Sequence, residues 1–172
     1  MNKPVDPERQ IIEQAIGHFI LDLGMIENTM IQALAVLTGV PQAQAHFLLN
    51  KTAGGAKAAL LKEAAVANGI DLKATGLKAA FGTIHEIMDF RNHIVHDAIG
   101  FHSNTQKWVR GKGTPTGDKV FGNKSEIDPA EIYRMGEAAW VAIKVVGIEI
   151  LEKHGDFTYF PTTETPTPPT SK

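Results

Sequence analysis

Apolar residues at Ile12, Ile16, Phe19, Leu23, Ile26, Met30, Ala33 and Leu37 recur at the three-to-four-residue period of a helix that buries one face. Asp6-Pro7 opens that run with a capping carboxylate and a proline at the first helical position, and Gly39-Val40-Pro41 closes it. Gly17 and Gly24 lie within it and suggest a bend or a close helix crossing. A short helix from about Pro41 to Leu49 follows, then one from about Gly55 to Asn68 that ends on Asn68-Gly69. Asp71 or Thr75 opens the next helix, which reaches about Asp97. Asp128-Pro129 repeats the first capping signal ahead of Ile132, Met135, Ala139, Ile143, Val146 and Ile150, a last long helix to about Lys153.

Between Ala98 and Lys124 the pattern changes. Five glycines and a proline surround two strand-like pieces, Gln106 to Arg110 and Lys119 to Phe121, as expected of a hairpin or a long loop. The pattern therefore predicts an all-α fold, an up-and-down helical bundle with an inserted β-hairpin or long loop before the last helix. Residues 1–6 form an arm, 7–154 the helical domain with its insertion at 98–127, and 155–172 a tail whose threonine and proline content predicts disorder.

Composition narrows the picture. A chain of 172 residues, 43% hydrophobic, suits one domain with its own core. The lack of cysteine removes disulfides, thiolate ligands and cysteine nucleophiles, and fits a reducing compartment, so the cytoplasm is expected. The N-terminus does not read as a secretory signal, and no apolar run is expected to span a bilayer. Lys plus Arg at 17 against Asp plus Glu at 19 gives a net charge of −2, with no global signature of a nucleic-acid binder. Nucleic-acid binding would have to rest on a local patch.

The chemistry-bearing segment is Arg91-Asn92-His93-Ile94-Val95-His96, at the end of the helix that reaches Asp97. An arginine that keeps its charge, an amide and an imidazole that titrates near neutrality form a minimal set for holding and cleaving a phosphodiester. At 100° per residue Ile84, Ile87, Met88, Ile94 and Val95 share one apolar arc with Phe81 at its edge, and Arg91 falls inside it. A guanidinium there needs a carboxylate, carbonyls, water or a phosphate. His85, Asp89, Asn92 and His96 form a second stripe, with His93 further round toward solvent. Arg91 stands about 140° from His96, so it must reach across with its long side chain or act from a partner subunit, which favours a dimer-assembled site. The competing reading makes the stripe a solvated face with Arg91 snorkelling from a groove edge.

This motif, closing a helix in an otherwise helical chain, resembles the HEPN superfamily of small all-helical domains, many of them metal-independent endoribonucleases. The resemblance covers roughly residues 7 to 153. It implies Arg91, Asn92 and His96 as catalytic residues, RNA as substrate and a homodimer with two motifs facing a cleft. It also implies products with a 2′,3′-cyclic phosphate and a 5′-hydroxyl, and no cofactor. A toxin, phage-defence or stress role follows, with an antitoxin or regulatory protein as a candidate partner and no membrane. Family toxins paired with a nucleotidyltransferase antitoxin often carry tyrosine two residues after the histidine, whereas this chain has Ala98, which argues against that form of control. Some members are inactive, so a non-catalytic module binding nucleotide, RNA or a partner protein is the alternative. A helical scaffold with Arg91 paired to a carboxylate of its own fold is a third.

Lys107, Arg110, Lys112, Lys119 and Lys124 oppose Asp118 alone, with Trp108 and Phe121 interleaved, so the inserted segment could grip a phosphate backbone or stack a base. A solvated loop with anti-aggregation lysines accounts for the same residues. His85, Asp89, His93, Lys107, Trp108, Arg110 and Lys112 are the candidate substrate-binding residues. His93, His96, Asp89, Asp97 and His102 lack a full ligand set at recognised spacing, so no metal is expected. Gly54-Gly55-Ala56-Lys57 has neither a strand before it nor a Ser or Thr after the lysine, and reads as a helix start rather than a phosphate loop.

Overall fold

Both Asp-Pro signals act as caps. Asp6 accepts a hydrogen bond from the Glu8 amide at 3.0 Å and Asp128 one from the Ala130 amide at 2.9 Å, each filling a donor that the first helical turn leaves unpaired. They start the first and last helices of a computed structural model that describes residues 6–102, 105, 107–111 and 124–155. Helix α1 spans Pro7–Thr38, α2 Gln42–Leu49, α3 Gly54–Ala67, α4 Leu77–His96 and α5 Pro129–Val146. Strands β1 (Ala98–His102), β2 (Lys107–Gly111) and β3 (Lys124–Glu126) form one antiparallel sheet in sequence order. The chain is thus mostly helical with a small sheet between α4 and α5.

The amphipathic stripes pack as their period requires. Phe19, Leu23, Ile26 and Met30 of α1 join Ile84 and Ile87 of α4 and Ile132, Ala139 and Ile143 of α5 in one core. Helix α1 packs most extensively on α5 and also touches α2 and α3, while α4 lies against α3 and α5. By length and composition α1 is apolar enough to cross a membrane, contrary to the expectation from the sequence. In this fold much of its apolar surface is core.

Several boundaries differ from expectation. Helix α1 runs without interruption through Gly17 and Gly24, and a Cβ at either would meet nothing within 4 Å, so neither marks a close crossing. Asp71 does not cap α4. Its carboxylate accepts from the amides of Lys73 and Ala74 in a separate turn, which holds its pKa below the ordinary carboxylate value. Helix α4 begins only after Gly76, whose φ of 75° is one that a side chain disfavours. The last helix gives way to a π-helical turn at Gly147–Glu152. The hairpin becomes three strands: Ala98–His102, expected as loop, is β1, and a strand lies at Lys124–Glu126. The expected piece Lys119 to Phe121 lies outside the described residues, as do the arm before Asp6 and the tail beyond Gly155.

Gly54 opens α3, as the sequence suggested, and a Cβ there would overlap the end of the Met88 side chain of α4. Lys57, one turn later, is 1% exposed and its Nζ meets Glu27 Oε2 at 2.5 Å. The two partners are not equivalent, since the Glu27 side chain keeps 35% of its exposure and can rehydrate alone. Glu27→Ala strands a buried ammonium and should lower unfolding free energy by about 3–5 kcal/mol. Lys57→Met, which keeps the packing, should cost less than half of that. Urea unfolding of both variants checks the asymmetry, and equal losses would contradict it.

Candidate active site

The rotation of α4 at its end is set by two apolar residues. In the first turns Leu77, Phe81, Ile84 and Met88 face the core, but at the end Phe90 and Ile94 are the buried pair. On a helical projection the buried stripe has turned by about 100°. The Phe90 ring meets Phe19 of α1 edge-on, with centroids 5.4 Å apart, and Arg110 of β2 lies over it at 5.5 Å. Arg91 and Val95, expected within the apolar arc, are thereby rolled out of it: Arg91 is half-buried and Val95 is 43% exposed.

That roll brings the motif together. Arg91 Nη1 donates to Asn92 Oδ1 at 3.3 Å and lies 3.3 Å from His96 Nε2. The arginine side chain spans the 140° gap within one chain, so no second subunit is needed to join the three groups. Among the described residues no carboxylate lies within ion-pair distance of Arg91. A guanidinium only donates, so the contact requires His96 Nε2 to be the unprotonated nitrogen, with the proton on Nδ1.

The other candidates divide. His85 and Asp89 face each other at 3.6 Å on the exposed side of α4, and His93 Nδ1 sits 3.6 Å from Asp97 Oδ2. Neither pair joins the trio. Asp97 has extended backbone angles, so the chain passes from the last turn of α4 straight into β1. Lys107 pairs with Glu126 across β2 and β3 at 2.7 Å. Trp108 Nε1 donates to Asp6 Oδ2 at 3.2 Å and the ring packs edge-on against Phe101, with centroids 5.7 Å apart. Arg110 Nη1 is buried with no hydrogen-bond partner among the described residues. Lys112 lies outside the described residues. Among the described residues no three His, Asp or Glu side chains come together in a way that could hold a metal ion.

Sequence reasoning did not single out Phe101 or Arg9. With Ile12, Ile99 and Trp108 they line a cavity of about 490 Å³ between α1 and the sheet, and Arg9 lies 6.0 Å from the Trp108 ring centroid. The alternation of Ile99 and Phe101 was the available signal. No protein-family model matches the sequence, and no curated protein or solved structure shows significant similarity to it.

The Arg91 contact fixes an observable. Nitrogen NMR of the chain at alkaline pH should show His96 as the Nδ1–H tautomer, and Arg91→Met should release it toward Nε2–H. An unchanged tautomer in Arg91→Met would show that the contact does not orient the ring.

Proposed function

We propose that this chain is a HEPN-like up-and-down helical bundle that acts in the cytoplasm as a metal-independent endoribonuclease of the toxin, defence or stress type. The observation that carries the reading is the convergence of Arg91, Asn92 and His96 at the exposed end of α4, with no carboxylate of the described fold neutralising the arginine. A cation left without a carboxylate beside an imidazole suits a phosphodiester, because the phosphate supplies the missing anion and the imidazole moves the proton.

The same geometry suggests an order of events. In the free protein Arg91 occupies the lone pair of His96 Nε2. An arriving phosphate competes for the guanidinium, which leaves Nε2 free to take the proton of the ribose 2′-hydroxyl. The 2′-oxygen then bonds to phosphorus and the P–O5′ bond breaks, giving a 2′,3′-cyclic phosphate and a 5′-hydroxyl once the leaving oxygen is protonated. Arg91 stabilises the charge that builds on the non-bridging oxygens, and Asn92 holds Arg91 in position. The partly exposed Phe101–Trp108 pair offers a further contact for a base. A homodimer would set two complete trios beside one RNA, and an antitoxin or regulatory protein would act by covering them.

Cleavage of RNA by the purified chain should persist in EDTA. His96→Ala should reduce it by about 10²–10⁴-fold and Arg91→Ala by about 10²–10³-fold, with folds intact by circular dichroism. Product ends should be 2′,3′-cyclic phosphate and 5′-hydroxyl. RNA left uncut by wild type, but bound in a manner sensitive to salt and to Arg91→Ala, would move the assignment to a non-catalytic binding module.

A further inference from the structure

A second cavity, of about 300 Å³, opens between α1 and α5 and contains none of the α4 motif residues. His18 and Asp22 line it from α1, and Tyr133, Gly136, Glu137 and Trp140 from α5. Its lining holds two carboxylates and four aromatic or imidazole rings, but no lysine or arginine. The His18 and Tyr133 rings lie 6.2 Å apart at 46° and form one wall. Gly136 is buried, and a Cβ there would stand 2.6 Å from Asp22 Oδ2, so this glycine makes room for the carboxylate against α5.

Asp22 has no lysine or arginine within ion-pair distance among the described residues. Burial pushes its carboxyl above the usual carboxylate range, partly offset by the Trp140 indole and by His18. Asp22 is thus a partly buried acid whose one basic neighbour in the cavity is the His18 imidazole, with no permanent cation beside it.

We propose that this cavity binds a small organic cation, its ammonium group seated between Asp22 and Glu137 and flanked by the Tyr133 and Trp140 rings. Aromatic faces attract a weakly hydrated organic ammonium, and the carboxylates supply its counter-charge. An anion would meet two carboxylates with no lysine or arginine to offset them. A hard metal ion prefers a fuller set of oxygen ligands than this cavity offers, and no such group occurs among the described residues. The site is independent of the proposed nuclease activity.

Calorimetric titration of choline into the full chain tests the assignment, with putrescine as a primary-ammonium arm and the uncharged isostere of choline, carbon in place of nitrogen, as control. Saturable binding of at least one cation is expected, weakened about tenfold or more in Asp22→Asn and with the uncharged isostere. Gly136→Ala, which displaces the carboxylate, and Glu137→Gln should weaken it as well. Asp22→Asn keeps the side-chain size beside Gly136, so its circular dichroism and urea unfolding should match the parent, and its loss of binding would then not reflect unfolding. Absence of binding by both cations, equal binding of the uncharged isostere, or unchanged affinity in Asp22→Asn and Glu137→Gln would each overturn the proposal.

Discussion

The contact between Phe19 and Phe90 decides what the end of α4 can present. A helix buries one stripe, and whichever residues anchor it fix where every other side chain points. With Phe90 against α1 and Ile94 one turn on, the opposite side of the last turns faces outward. Asn92 and His96 lie on that outward face, and the half-buried Arg91 at its edge reaches them with its side chain. Had the stripe continued in the register of Ile84 and Met88, Arg91 would point into the core and could not reach His96.

The rest of the fold serves that anchor. Helix α1 supplies Phe19 and, through Glu27, satisfies the buried Lys57 of α3, while α3 and α5 support α4 along its length. The sheet follows directly from Asp97, so the strand nearest the motif is held at one end by α4 itself. Arg110 on β2 then covers the outer side of Phe90. A single ring is thus clamped between helix and sheet. Rigid support of this kind is what a site needs if its groups are to keep hydrogen-bonding geometry.

Much of the helical framework was legible because its signals are local. The Asp-Pro caps of α1 and α5 need only adjacent residues, and the three-to-four-residue stripes of α1, α4 and α5 repeat over several turns. The sheet was harder to read: Ile99 and Phe101 of β1 stay partly exposed, so their alternation gives no buried face, and β3 spans only Lys124–Glu126. The π-helical turn left no residue-level mark. At the site the residue types were legible and their geometry was not. Angular position alone put Arg91 and His96 on different faces, because a helical projection carries neither side-chain length nor a drift of the buried stripe. The cavity at Asp22 carries no sequence signal, because it depends on Gly136 of α5 standing against Asp22 of α1, a long-range contact.

The central claim is that Arg91 and His96 of the same chain form one chemical unit. Co-expression of Arg91→Ala and His96→Ala chains, followed by an RNA cleavage assay beside wild type, tests it most directly. A site within one chain predicts cleavage by wild type and none above the single variants in the mixture, since every chain in the mixture lacks one member of the trio. Cleavage restored in the mixture would show that the arginine and histidine act across two subunits, and a wild-type chain that leaves RNA intact would contradict the account altogether.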